Sequence, residues 1–288
     1  MSESLAIGSE EHKRLFCRTL IDTHDPYDAA RIQWPEIDDT SRRRVAGIPF
    51  WNDAMFDERN ANAKLQMLAD AQTDPLLQEA IALQGREEGR HARIIEGMLR
   101  AYAIPVDAVR ATVPPHNPEW AFVKLGYGEC FDSFFSFGIF KMAERSGFFP
   151  KPLVDAFEPI VQEEARHILF FQNWIAYVRA NRPVTHRPVH RLNCARGLAL
   201  TVWSRVKIAF DMKGGRGPKK NGEEKEAFAG GIALRPFLET CLAENKRRLA
   251  PYDARLLRPT LIPALIRQVV KVLPRGRAEA DAVGAEAD

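Results

Sequence analysis

Apolar positions recur at three- and four-residue steps along most of this chain, and they do not alternate over any useful length. That spacing predicts amphipathic helices without strands, hence an all-α protein. The pattern is clearest over residues 75–102. There Leu77, Ile81, Gln84, Glu88, His91, Ile95, Met98 and Tyr102 form one continuous stripe, apolar or aromatic except for three polar residues at its middle. Three other segments carry comparable stripes: Met55, Glu58, Asn62, Leu65 and Ala69; then Phe122, Gly126, Glu129, Ser133, Ser136 and Phe140; then Ile160, Glu164, His167, Phe171 and Trp174.

Punctuation along the chain sets the boundaries. Asp74-Pro75 and Asn117-Pro118 each offer a capping side chain followed by proline at the first helical position. Helices are predicted over 50–71, 75–102, 118–146 and 152–180, with Pro159 either kinking the last or marking its regular start. Short loops join the first to the second and the third to the fourth. Such loops make antiparallel hairpins. The long link over 103–117 holds Pro105, Pro114 and Pro115 and can cross the end of a bundle. Residues 1–46 read as a leader with one short helix near 10–21. Residues 47–182 read as a four-helix bundle, 183–273 as a basic helical extension with helices over 189–212, 234–249 and 261–273, and 274–288 as a disordered tail. Lys213–Gly222 reads as a mobile basic loop.

Composition adds three points. No stretch approaches roughly 18 uninterrupted apolar residues, so no membrane span and no stable transmembrane association is expected. The first residues lack a secretory pattern, and Cys17, Cys130, Cys194 and Cys241 are scattered without metal-type pairing. Both suit the cytoplasm. Net charge is only +3, yet residues 182–276 hold 20 Lys+Arg against 7 Asp+Glu, a balance of +13 that leaves −10 elsewhere. That third of the chain either meets an acidic partner or is simply a solvated basic surface.

The chemistry sits at the middle of the stripes. Glu87-Glu88-Gly89-Arg90-His91 and Glu163-Glu164-Ala165-Arg166-His167 read alike, and each contains Glu-x-x-His. Positions three apart share a helix face, so each carboxylate and imidazole can bind one metal ion or bridge two. The stripes turn Glu88, His91, Glu164 and His167 into the core, where an unpaired carboxylate is costly. The other two helices should each supply a carboxylate. Glu58, 30 residues before Glu88, is the candidate on the first; Asp57 shares a face with Lys64 and ranks below it. On the third, Glu129 lies 35 residues before Glu164 and Asp132 lies 32 before it. Glu129 is the expected ligand. Asp132 is its competitor, or else an outer hydrogen-bond partner. Arg90, Arg166, Glu87 and Glu163 point off this face, either to orient ligands or to form surface ion pairs. Ser136, like Ser133, either meets the ligands or packs.

One carboxylate, Glu-x-x-His, another carboxylate and a second Glu-x-x-His is a pattern that resembles the ferritin-like di-iron carboxylate superfamily. The wording of the two motifs looks nearest to the soluble acyl-carrier-protein desaturases. The resemblance covers about residues 50–177. It implies a ferritin-like four-helix bundle with additional C-terminal helices. It also implies two iron ions, with manganese as second choice. Glu88 and Glu164 would bridge them, His91 and His167 would cap one each, and Glu58 and Glu129 would be terminal ligands. The arylamine oxygenases of this superfamily carry an extra His where this chain has Ile160, so that branch is not supported.

The function so implied is an O2-dependent hydroxylase, oxidase or desaturase served by a separate electron donor, since no flavin or nicotinamide motif is visible. Phe131, Phe134, Phe135, Phe137 and Phe140 either shape a hydrophobic substrate pocket or pack the core. The alternative is a ferritin-like protein handling iron or peroxide, like a Mn catalase, without organic substrate. A third reading is a metal-stabilised module binding an acyl carrier protein or a tRNA through the loop at 213–222 and Lys246-Arg247-Arg248. A homodimer stays open. The amphipathic segment at 261–273 either touches a membrane surface or packs on the bundle.

Overall fold

The protein is all-α. A computed structural model describes residues 5–48, 50–108, 110, 114–213 and 233–274, and among these it has nine helices and no strand. They are α1 (Glu10–Asp22), α2 (Asp39–Gly47), α3 (Trp51–Asp70), α4 (Pro75–Ala101), α5 (Pro118–Ser146), α6 (Lys151–Asn181), α7 (Arg187–Lys213), α8 (Leu234–Leu249) and α9 (Leu261–Val272). Short 3-10 turns lie at Ala29–Arg31 and Val184–His186. The expected mobile loop beyond Lys213 and the expected disordered tail beyond Pro274 lie outside the described residues.

The predicted caps operate. Asp74 accepts from the amides of Leu76 and Leu77, and Asn117 accepts from that of Trp120, in each case with proline opening the helix. Those bonds satisfy amides that have no partner within the helix. α5 stops at Gly147, whose φ of 63° is open to glycine at little cost. Two expectations change. Pro159 is not the start of its helix: α6 begins at Lys151 and runs through it. The leader also holds a second helix, α2, with Ser41 and Val45 as its buried residues.

α3 packs along α4, α5 along α6, and contacts of α3 with α5 and α4 with α6 close a four-helix bundle. α1 lies against α4 and α6, α7 against α5, α8 against α5 and α6, and α9 mainly against α8. Glycines let two of these pairs close up. A Cβ on Gly126 would lie 2.1 Å from the Phe171 ring of α6, and one on Gly138 would lie 2.3 Å from Cys241 Sγ of α8.

The core divides into two apolar clusters. One holds Phe16, Leu65, Ile81, Phe122, Phe171 and Trp174; the other holds Val45, Met55, Ile95, Met98, Phe157 and Ile160. Each large buried side chain contributes about 1.5–3 kcal/mol. Along α4, residues 84–91 fall between the two clusters, and residues 163–167 of α6 lie beside them. There Gln84, Glu87, Glu88, Arg90, His91, Glu163, Arg166 and His167 are buried as a polar layer.

Candidate metal centre

The two Glu-Glu-x-Arg-His segments interlock across the α4–α6 contact. His91 Nε2 lies 2.8 Å from Glu163 Oε2, and His167 Nε2 lies 2.7 Å from Glu87 Oε2. The arginines cross in the same sense: Arg90 donates to Glu163, and Arg166 Nη2 donates to Glu87 Oε1 at 2.6 Å. Thus the first Glu of each motif accepts from both the His and the Arg of the other. A carboxylate only accepts, so each Nε2 carries the donated proton. In the neutral ring this leaves the Nδ1 lone pair facing inward. Burial alone would push the Glu87 carboxyl up, but His167 and Arg166 hold it down at about 2.

The N-terminal segment clamps this layer from outside. Arg166 donates to the Leu20 carbonyl at 2.9 Å and Arg90 to the Asp25 carbonyl at 3.0 Å. His24 Nδ1 lies 2.5 Å from Glu87, the Tyr27 hydroxyl donates to Glu163 at 3.2 Å, and Arg90 stacks over the Tyr27 ring. Glu87 and Glu163 therefore bond the imidazoles and are not surface ion pairs. The repetition of the whole five-residue motif, rather than of Glu-x-x-His alone, was the signal for that. His24 and Tyr27 had none.

Inward of the imidazoles, one ligand atom each from Glu58, Glu88, His91 and Glu164 lies within 4.8 Å of all the others. His91 Nδ1 is 3.5 Å from Glu58, 3.5 Å from Glu88 and 3.3 Å from Glu164. His167 Nδ1 is 3.0 Å from the other oxygen of Glu88 and 3.9 Å from Glu164. Ser133 donates to Glu164 at 3.3 Å. Glu129 stands outside that group of four and accepts from Gln84 Nε2 at 3.4 Å. Its competitor Asp132 is half-exposed and takes a two-point hydrogen bond from Arg205 of α7. It is thus no hydrogen-bond partner of a ligand. Ser136 lines the adjoining cavity.

Electrostatics bear on what this cluster can do. Burial and the charge of Glu88 raise the Glu58 and Glu129 carboxyls well above the usual range. Burial also opposes ionisation of Glu88, but the two imidazoles overcome it and hold that carboxyl well below. Both imidazoles, pushed down by burial, are raised well above their ordinary value by the surrounding carboxylates. A proton and a divalent cation are alternative ways to relieve the same excess of negative charge. The donor set fits a cation. Glu88 Oε1, His91 Nδ1, Glu129 Oε1, His167 Nδ1 and Gln84 Oε1 are all buried here without a hydrogen-bond partner. Orphaned buried polar atoms are rare, and these five lie on side chains of one polar layer, where a bound cation is one way to satisfy them.

A cavity of about 780 Å³ opens onto Glu58, Glu88, Glu129 and Glu164 between α3 and α5. Its apolar wall includes Trp51, Ile95, Phe157 and Ile160. Of the five α5 phenylalanines expected around the site, Phe137 and Phe140 line the cavity. Phe135 instead stacks on Phe237 of α8, with Phe131 and Phe134 against it.

Fold and site together define an all-α bundle with a buried carboxylate–imidazole cluster that could hold a metal ion. Neither protein-family models, curated proteins nor solved structures yield a match to this chain. No described helix is long and apolar enough to cross a membrane.

Proposed function

We propose that the chain is a ferritin-like di-iron carboxylate protein: an O2-dependent oxidoreductase, hydroxylating, oxidising or desaturating a hydrophobic or carrier-bound substrate. The observation that carries this reading is the reciprocal clamp. Two imidazoles from two helices are held by each other's carboxylates, and their free Nδ1 atoms converge on Glu88 and Glu164. Glu58, Glu88, Glu129 and Glu164 bring four negative charges, which two divalent cations match. The outer carboxylates Glu87 and Glu163 are already neutralised by Arg166 and Arg90. Mixed imidazole and carboxylate donors suit Fe(II), with Mn(II) second.

Iron so held supplies O2-activating chemistry. The chain's own residues do the rest. Glu163 and Glu87 fix the imidazole tautomers and ring orientations. Glu88 and Glu164, each near both imidazoles, would be shared between the two ions. Glu58 would complete the His91 side, and Glu129 would serve the His167 side. The cavity is within the size range of organic-ligand sites, and part of its wall is apolar. Electrons come from a separate donor, and the basic region after Arg182 faces an acidic partner such as an acyl carrier protein or a tRNA.

The test is to load purified protein with Fe(II), mix it with O2, and follow visible absorbance and O2 uptake with and without a chemical reductant and fatty acyl probes. A transient absorbance with reductant-dependent conversion of a probe is expected. Disposal of peroxide alone would move the chain to iron or peroxide handling. Failure to retain iron would remove the reading altogether.

A further inference from the structure

α9 carries its apolar face outward. Pro263 is its buried residue. Leu261, Leu265, Val269 and Val272 are 47%, 56%, 39% and 83% exposed. Their steps of four, four and three place them on one side of the helix. A helix that merely packs on a bundle buries such a stripe, so this one is oriented for a medium other than water. Lys271, also exposed, lies along its flank.

A second observation comes from the opposite side of the same helix. Between α8 and α9 lies a cavity of about 350 Å³ whose lining includes Lys246, Arg258, Pro263 and Arg267: three cations and no carboxylate. Arg258 is a structural wall of this cavity, its Nη1 donating to the carbonyls of Asp253, Ala254 and Leu256 and its Nη2 to those of Leu249 and Tyr252, which leaves Lys246 and Arg267 as the cations open to a ligand. Among the described residues, Lys246 and Arg267 form no ion pair. Lys246 and Arg267 are exposed cations with their donors unspent, and a phosphate is a matching acceptor for them.

We propose that α9 docks in the interface of an anionic membrane. Leu261, Leu265, Val269 and Val272 enter the boundary between headgroups and acyl chains, and a lipid phosphate occupies the Lys246–Arg258–Arg267 cavity. An in-plane helix binds through buried apolar area and attraction of its cations to anionic lipid, and α9 offers both. The outward side chains are branched aliphatics. Protein-recognition surfaces favour Trp, Tyr, Met and Arg anchors instead, so the composition points to lipid rather than to a protein partner. Nothing in this inference depends on the metal cluster.

Co-sedimentation of the metal-loaded full chain with vesicles tests it. One set contains phosphatidylglycerol and phosphatidylcholine, and the other phosphatidylcholine alone. Binding to the anionic set should exceed binding to the neutral set at least tenfold and fall as salt rises. The double variant Leu265→Glu, Val269→Glu should lose at least tenfold in binding with helicity and metal content unchanged. The double variant Lys246→Ala, Arg267→Ala should bind anionic vesicles more weakly and with a flatter salt dependence. No vesicle binding, equal binding to both sets, or unchanged binding by the first variant each overturns the proposal. So does a dimer in light scattering that only that variant dissociates, since the face would then belong to a second copy.

Discussion

Around His91 and around His167 the outer layers match, while the inner ones differ. Each Nε2 meets a buried carboxylate of the other helix, at 2.8 and 2.7 Å, and each of those carboxylates is held by an arginine and a residue of the N-terminal segment. On the inner side, His91 Nδ1 has Glu58, Glu88 and Glu164 within 3.5 Å. His167 Nδ1 has Glu88 at 3.0 Å and Glu164 only at 3.9 Å. Its expected partner Glu129 accepts from Gln84 instead. The duplicated motif thus orients the two rings alike, and the helices that carry no motif, α3 and α5, make the two positions unequal. If cations bind here as proposed, the His91 side should take the first and tighter one.

The sharpest challenge to that inequality is a pair of truncations. Glu58→Ala should abolish the tighter metal-binding step in a titration, whereas Glu129→Ala should weaken only the second step. Equal losses would mean that the two positions are equivalent. Next in size are the outer carboxylates. Glu163→Gln and Glu87→Gln keep the shape but lose the charge that fixes each imidazole, and each should lower metal affinity about 10–100-fold. The two losses should be similar, because the outer layers are. A clear difference, measured by competition with a chelator, would show that the asymmetry begins there.

Gly126→Ala probes the His167 side alone. Its new Cβ meets Phe171, one turn beyond His167, and overpacking of this kind costs about 1–3 kcal/mol in urea unfolding. The second metal-binding step should weaken and the first should not. The smallest effect is expected of Asp132→Ala. Its carboxylate is half-exposed on Arg205, so the change should cost no more than about 1 kcal/mol and leave metal content intact. Loss of metal in this variant would show that Asp132, not Glu129, is the ligand on α5.

Much of this was legible in the sequence, for identifiable reasons. The ends of α4 and α5 follow from Asp74-Pro75 and Asn117-Pro118, whose side chains bond amides two and three residues on, within reach of local reading. The α4 stripe from Leu77 to Tyr102 is buried throughout, as its period requires. Periodicity within one helix does not report what another helix brings to it. Glu87 and Glu163 are therefore ambiguous until α4 and α6 are placed side by side. Glu129 and Asp132, three residues apart, share a face, and the helix that draws Asp132 outward is α7, more than 70 residues on. α2 is short and buries only Ser41 and Val45, too little to make a stripe. Phe131, Phe134 and Phe135 turn to packing because α8 covers that side of α5.

On the proposed reading, cations hold together the side chains that α3, α4 and α6 bring to one point, with Glu129 of α5 beside them. Metal content of the purified chain, measured by elemental analysis beside His91→Ala and His167→Ala, tests it directly. About two ions per chain are expected in the parent, with a marked loss in each variant and the deeper loss in His91→Ala. The same metal content in all three proteins would contradict the account.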